Sequence, residues 1–546
     1  MLEIPSCGAL HLKGKIMNLH RRSFLKRMGL GAAGLGLVSA WPIRCAAEEA
    51  AGRSLPRSTP EEQGVSSAAI LAFLEAIEKS QHEFHSFMMV RNGHVIAEGW
   101  WTPYRATANH MLYSLSKSFT STAVGFAVSE GKFSVNDAVT SFFPDDLPAA
   151  VSENLAALKV KHLLTMSVGQ ATDSMGAIGR EQNWVKTFLA LPITKPPGSA
   201  FLYNSGATYM LSAIVQKVTG QKVIDFLRPR LFEPLGIEGM TWETCPRGIN
   251  TGGWGLSLQT ESLAKFGQLY LQQGLWRGRQ ILPAAWIEEA TTFKIQQSPP
   301  EGKDLAEAKL TNDWLQGYCY QFWRCRHDAF RGDGAFGQFC IVMPDRKAVV
   351  AITCETGDMQ SELNSVWDFL LPALQDHPLP ADGASQDRLR QKLAALALPL
   401  ADGKADSPLA TTISGKTFKI ESNPAGLQRF SLQFQGDACA FTLNDAQGEY
   451  PIQCGLGRWV EGISSLPGIP PKITVGDLRP CKVAASGAWR DKNTFAMIWH
   501  FYETPHSETV TCRFDGDKIK IEFLTSITQK SGPHPAPNLV LDGIAT

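Results

Sequence analysis

The chain carries no excess of either charge. Its 52 lysines and arginines balance 52 aspartates and glutamates over 546 residues, so no field of one sign is available to gather nucleic acid or an anionic membrane surface. It has no Cys-x-x-Cys and no His-Glu-x-x-His, so the usual zinc signatures are missing and no cofactor is implied. It also has no Gly-x-Ser-x-Gly, which removes any candidate for a strand–turn–helix nucleophile elbow. Twelve histidines occur, among them His110, His162 and His327, yet none sits in a motif that would make it the base of a triad. No apolar run reaches the roughly 20 residues of a membrane span.

What is present begins with an address. "RRSFLKR" (21–27) precedes a short glycine-diluted apolar run, "MGLGAAGLGLVSAWPI", and then "CAAEEA". A charged segment, a short apolar segment and small residues make an export signal, here of twin-arginine type over residues 1–47. The mature protein is expected to be exported, to the periplasm or another extracytoplasmic space, with no transmembrane segment left. Of eleven cysteines, nine would remain after cleavage, as disulfides or as buried thiols.

A chain this long implies two domains. In the first, apolar residues recur at helical spacing in "SSAAILAFLEAIEKS" (66–80), "VKHLLTM" (160–166), "SGATYMLSAIVQKVTG" (205–220) and "TESLAKFGQLYLQQG" (260–274). "SFMMVRNGHVIAEGWW" (86–101) reads as a hairpin about Asn92-Gly93. "GYCYQFWR" (317–324) and "GQFCIVMPDRKAVVAITC" (337–354) read as further strands, and "SELNSVWDFLLPALQD" (361–376) as a closing helix. Strands at both ends of a helical middle make an α+β domain over 55–376, an antiparallel sheet with helices on its faces. A linker rich in Pro, Ala and Asp is expected at 377–409. From 410 to 546 several alternating segments, such as "RFSLQFQG" and "TVTCRFDG", predict an all-β accessory domain, barrel or sandwich.

Ser-x-x-Lys occurs four times, at Ser23, Ser114, Ser129 and Ser262. The first lies in the signal, the third straddles Gly131, and the fourth flanks an apolar stripe as a solvated face would. Ser114-Leu-Ser-Lys117 differs, because the helix it opens leaves almost no solvated face. Residues three apart on a helix face each other, so the Lys117 amine is within reach of the Ser114 hydroxyl. Desolvation would lower its pKa and make it a usable base. The same stretch also fits a helix cap at Ser114 with Lys117 snorkelling outward.

"YSLSKSFTSTAVG", "HLLTMSVG", "PGSAFLYNSGATYMLSAIV", "GGWGLSLQTESLAKFGQLYL" and "GAFGQFCIVMPD" follow one another in that order. Together they resemble the beta-lactamase-related serine hydrolases, a group of class C beta-lactamases, D-amino-acid peptidases, esterases and 6-aminohexanoate-dimer hydrolases. The resemblance runs from about residue 60 to 376. It implies a beta-lactamase/transpeptidase-like sheet beside a helical region, with the active site in the cleft between.

The same resemblance makes Ser114 the nucleophile, Lys117 its lysine, and Tyr203 the tyrosine of a second motif whose usual Asn is replaced by Ser205. Ser205 is then either a substrate-binding group or the cap of the helix that follows. The third motif falls on Ala335-Phe336-Gly337, with the Gln338 N–H joining that of Ser114 in an oxyanion hole. The family's cation at that motif is missing at Ala335, which favours neutral esters or amides over beta-lactams; Arg324 and Arg326 are the candidates to take its place. Phe336 and Trp254 offer apolar contacts to substrate. The expected activity is cleavage of a small ester, amide or peptide-like substrate through an acyl-enzyme. A beta-lactamase, a D-alanyl peptidase or a non-catalytic ligand-binding protein on the same scaffold are the alternatives.

Overall fold

A computed structural model describes residues 54–467, 480–530 and 538–546. The expected export signal over residues 1–47 lies outside the described residues. None of the helices described is long and apolar enough to cross a membrane.

The first domain is built on a six-stranded sheet. Its strands are β1 (Glu83–Arg91), β2 (His94–Trp100), β3 (Trp323–Arg324), β4 (Phe330–Gly334), β5 (Gln338–Met343) and β6 (Ala348–Glu355), in the spatial order β2-β1-β6-β5-β4-β3. Asn92 and Gly93 both adopt positive φ, 49° and 81°, as the primed two-residue turn between β1 and β2 requires. All eight residues of β6 are buried, because helices cover both faces of the sheet and there is no wet side to demand alternation. On one face Met88, Cys340 and Val349 join the core of the helical region; on the other Phe87, Ile341 and Val350 pack beneath α1 (Ser67–Glu78). Ser66 caps that helix, its hydroxyl accepting from the Ala68 N–H.

The helical region holds α2 (Ser116–Ser129), α3 (Ser205–Thr219) and α4 (Thr260–Leu271). Phe266 of α4 stacks on Phe119 of α2, with ring centroids 3.9 Å apart. "GYCYQFWR" contributes only Trp323 and Arg324 to the sheet. Gln321 has φ 66°, and its side chain turns inward to bond the Leu163 and Leu164 carbonyls and the Thr208 hydroxyl. The Ser118 hydroxyl of α2 donates to Gln321 O at 2.8 Å, so the segment is a buried connector that ties three helices together. Within the stretch expected to link the domains, residues Gly383–Ala394 form a helix against α1 and β2.

The C-terminal part is a closed barrel of nine strands plus one flanking strand. In order these are β7 (Thr417–Ile420), β8 (Arg429–Gln435), β9 (Ala438–Asn444), β10 (Glu449–Leu456), β11 (Val460–Ser464), β12 (Cys481–Trp489), β13 (Thr494–His500), β14 (Ser507–Asp515), β15 (Lys518–Thr525) and β16 (Leu539–Ala545). Antiparallel neighbours run from β10 back through β9, β8 and β7 to β16, then down to β12. A parallel contact of Gly455 and Leu456 with Ser486 and Gly487 closes the ring. Aromatic side chains such as Phe430, Phe441, Trp499 and Phe523 fill the interior. The nine described cysteines are buried free thiols.

Gly267 shows how tightly helix and sheet are fitted. A Cβ there would stand 2.5 Å from Val349 Cγ1 and 2.7 Å from Cys340 Sγ. Alanine gains about 1 kcal/mol of helix propensity over glycine, but overpacking a rigid core costs about 1–3 kcal/mol. Gly267→Ala is expected to lower the stability read by urea unfolding, by about 1 kcal/mol; an unchanged or higher midpoint would show that α4 can lift off the sheet freely.

Candidate active site

The chain approaches Ser114 through a short strand, His110–Met111, which pairs with Leu256–Leu258. Tyr113 then takes φ 47°, an uncommon conformation for a bulky residue. This lifts Ser114 onto a single 3-10 turn, Tyr113–Leu115, ahead of α2. The Ser116 hydroxyl locks the turn, donating to Tyr113 O at 2.7 Å and accepting from the Leu256 N–H at 3.1 Å.

Helix α2 is buried on every side along residues 116–127, so Lys117 is shielded from bulk water. It is 2% exposed. Its Nζ lies 2.7 Å from Gly253 O, 3.0 Å from Ser114 Oγ and 3.2 Å from Ser205 Oγ. Burial lowers its pKa to about 7, against the opposing pull of the Asp173 and Asp333 carboxylates.

Tyr203 closes over the same point. The lysine nitrogen is 4.8 Å from its ring centroid, the ring stacks on Trp323, and the hydroxyl reaches Ser114. Burial pushes the phenol well up, and the bond with Ser114 only partly offsets this. Asn204, not Ser205, caps α3: its Oδ1 accepts from the Gly206 and Ala207 N–H groups. The same oxygen takes the Ser174 hydroxyl at 2.7 Å, which ties the 170–180 segment to the helix. With the cap supplied by its neighbour, Ser205 is free to turn its hydroxyl to Lys117.

The third motif falls elsewhere than expected. Gln338 is the first residue of β5, fully buried and paired with Gly334. Its side chain donates to Ala335 O at 3.1 Å and Cys354 O at 2.7 Å, so it props the hairpin from behind. Gly337 faces Glu362, whose Oε2 would lie 2.0 Å from an added Cβ. Phe336 is buried between Tyr113 and His506 rather than facing substrate. The strand that passes the nucleophile is β4, where a Cβ on Gly334 would come 2.1 Å from Leu112 O. Its next residue, Ala335, lines the cleft with Ser114. Gln338 is not among the described residues that line this cleft. The glycine-rich run "GDGAFG" offers two registers three residues apart, and only the packing of β4 against Leu112 distinguishes them.

The cleft has a volume of about 450 Å³. Trp254 lines it, as expected, and is buried. Asp173 and Arg180 stand exposed on its wall; neither was expected from the sequence, where the only signal is a glycine-rich connection, "SVGQATDSMGAIG", between two helical segments. Arg324 and Arg326 are elsewhere. The former reaches Thr291 O and the latter pairs with Asp313 at 2.9 Å.

Residues 74–375 match the model of the family described as Beta-lactamase. The chain is 25% identical over 315 residues to the 6-aminohexanoate-dimer hydrolase of Paenarthrobacter ureafaciens, covering 54% of this chain and 78% of that one. It is 24% identical to penicillin-binding protein 4 of Amycolatopsis lactamdurans, over 49% and 77% of the two chains. Among solved structures, a putative 6-aminohexanoate-dimer hydrolase from Bacillus anthracis aligns with TM-score 0.46 at 20% identity, over 60% of this chain and 89% of that one. An octameric penicillin-binding protein homologue from Pyrococcus abyssi aligns with TM-score 0.43 at 16% identity, over 87% and 99%. The family model spans more than half of the chain, and the chain belongs to the beta-lactamase family.

Proposed function

We propose that this protein is an exported serine hydrolase that cleaves a neutral ester or amide through an acyl-enzyme on Ser114. The observation that carries the reading is the Lys117 nitrogen, desolvated and 3.0 Å from Ser114 Oγ. A neutral amine has two N–H donors and one lone pair. Gly253 O and Ser205 Oγ accept the two donors, which leaves the lone pair for the Ser114 hydroxyl proton. With its pKa near 7, the amine is a base matched to neutral pH.

Tyr203 takes the other half of the proton work. Burial keeps its phenol protonated, so it serves as a donor to the leaving group rather than as the base. As Ser114 Oγ bonds to the carbonyl carbon, its proton passes to Lys117. The oxyanion faces the Ser114 and Ala335 amides. Collapse breaks the bond to the leaving group, which departs with a proton relayed from Lys117 by way of Tyr203. Water then repeats the sequence on the acyl-enzyme.

Ala335 supplies no cation for a substrate carboxylate, and Asp173 and Arg180 offset each other on the cleft wall; a neutral acyl group fits this rim. The Paenarthrobacter relative is named for an amide-linked dimer, which supports amides within that range. Export rests on the twin arginines and short apolar run at the N-terminus.

Ser114→Ala is expected to abolish turnover of 4-nitrophenyl butyrate and labelling by a fluorophosphonate; turnover at the wild-type rate would refute the reading. Tyr203→Phe is expected to slow an anilide by about 100-fold or more but a 4-nitrophenyl ester far less, since nitrophenolate leaves without a proton. Equal losses on both substrates would remove Tyr203 from the role of acid.

A further inference from the structure

The turn that presents Ser114 is held from the barrel. Residues 501–506, between β13 and β14, form a tight loop. In it the Thr504 N–H donates to Phe501 O at 2.7 Å, the His506 N–H to Thr504 Oγ1 at 3.1 Å, and the Phe501 N–H to His506 O at 3.1 Å. Two groups of this loop grip the segment just ahead of the nucleophile. Glu503 O accepts from the Met111 N–H at 2.9 Å, and His506 Nε2 hydrogen-bonds the Tyr113 hydroxyl.

His506 is fully buried and anchored from behind. Its Nδ1 lies 2.6 Å from Oε1 of Glu355, the last residue of β6. The Glu355 carboxylate is held by two further barrel groups, the Ser526 hydroxyl at 2.7 Å and Lys530 Nζ at 3.3 Å. Burial pushes this carboxyl up, but the His506 hydrogen bond and the His506 and Lys530 charges outweigh it and hold it below the usual range. A carboxylate cannot donate, so Nδ1 carries the hydrogen and Nε2 is left for the phenol. A neutral His506 accepts the Tyr113 O–H; a protonated one donates to the Tyr113 oxygen. The link survives either state.

Tyr113 is the residue with φ 47°, and its ring is clamped between Phe336 and His506. A large side chain persists in that conformation only where its surroundings over-determine it. We propose that His506, backed by Glu355, is a positioning residue for the nucleophile: by fixing the Tyr113 ring it fixes the turn that aims Ser114 into the cleft. The barrel is thereby a working part of the active site, not only a partner in packing. The proposal rests on the serine-hydrolase reading above and deepens it.

The test uses the full chain and the variants Tyr113→Phe, His506→Phe, both together, His506→Gln, and Ser114→Ala as reference. Tyr113→Phe removes one oxygen and keeps the ring, so it is the variant least exposed to misfolding. The readouts are the rate of Ser114 labelling by a fluorophosphonate, kcat and KM for 4-nitrophenyl butyrate, and melting temperature. The expected result is a fall of about tenfold or more in labelling rate and kcat for each phenylalanine variant, with KM within about threefold. The double variant should be no worse than the weaker single by more than about twofold, as for two groups acting through one link. His506→Gln, which keeps a polar group near the phenol, should recover part of the loss. Tyr113→Phe labelling within about twofold of wild type, losses that multiply in the double variant, or a change confined to melting temperature would each overturn the proposal. Should Ser114→Ala itself keep its activity, the hydrolase reading falls and this proposal with it; a dead Ser114→Ala beside a normal Tyr113→Phe overturns this proposal alone.

Discussion

Everything at the site depends on an amine held almost wholly out of water. Lys117 sits on a helix with no wet face, and its three neighbours are a carbonyl and two hydroxyls. None of these is an anion, so the hydrogen bonds and the Tyr203 ring face only partly repay the loss of hydration that a charged ammonium would suffer. The Asp173 and Asp333 carboxylates favour the charge, but less than burial opposes it. The consequence is a lysine whose free base is accessible at neutral pH. Ser114 Oγ, at 3.0 Å, is the nearer of the two hydroxyls to its nitrogen.

Three separate parts of the chain set that geometry. The 3-10 turn Tyr113–Leu115 supplies the serine and the first turn of α2 the lysine, three residues on. Helix α3 brings Tyr203 and Ser205, and its start is fixed by Asn204, which also pins the cleft segment at Ser174. Strand β4 closes the third side with glycines at 332 and 334, where a Cβ on Gly334 would strike the backbone at Leu112. The barrel adds a fourth support by holding Met111 and Tyr113 from the 501–506 loop.

Much of this was legible in the sequence, for stated physical reasons. Helices with a 3.6-residue apolar period and the Asn92-Gly93 hairpin are local signals, and they appear where the pattern places them. Ser114 and Lys117 meet because they stand three residues apart across the junction of a 3-10 turn and α2, and Tyr203 begins a recognisable motif. Other features depend on distant packing. Strand β12, "CKVAASGAW", shows no alternation because eight of its nine residues are buried; Ala484 on its outer side joins the core of the first domain. The glycine-rich run 332–337 does not by itself say which residue passes the nucleophile turn; the close approach of Gly334 to Leu112 does. His506 carried no signal at all, since its partners Tyr113 and Glu355 are 393 and 151 residues away.

The most direct test of the central claim is the pH dependence of Ser114 acylation, followed in the pre-steady state with an activated ester. A neutral Lys117 is required to take the proton, so protonation below its pKa must slow the step. The account predicts a rate that falls roughly tenfold per pH unit below the break, with the break near pH 7, and a plateau above it. A rate that is flat across this range, or one that keeps rising to about pH 10 as an ordinary lysine would require, would contradict it.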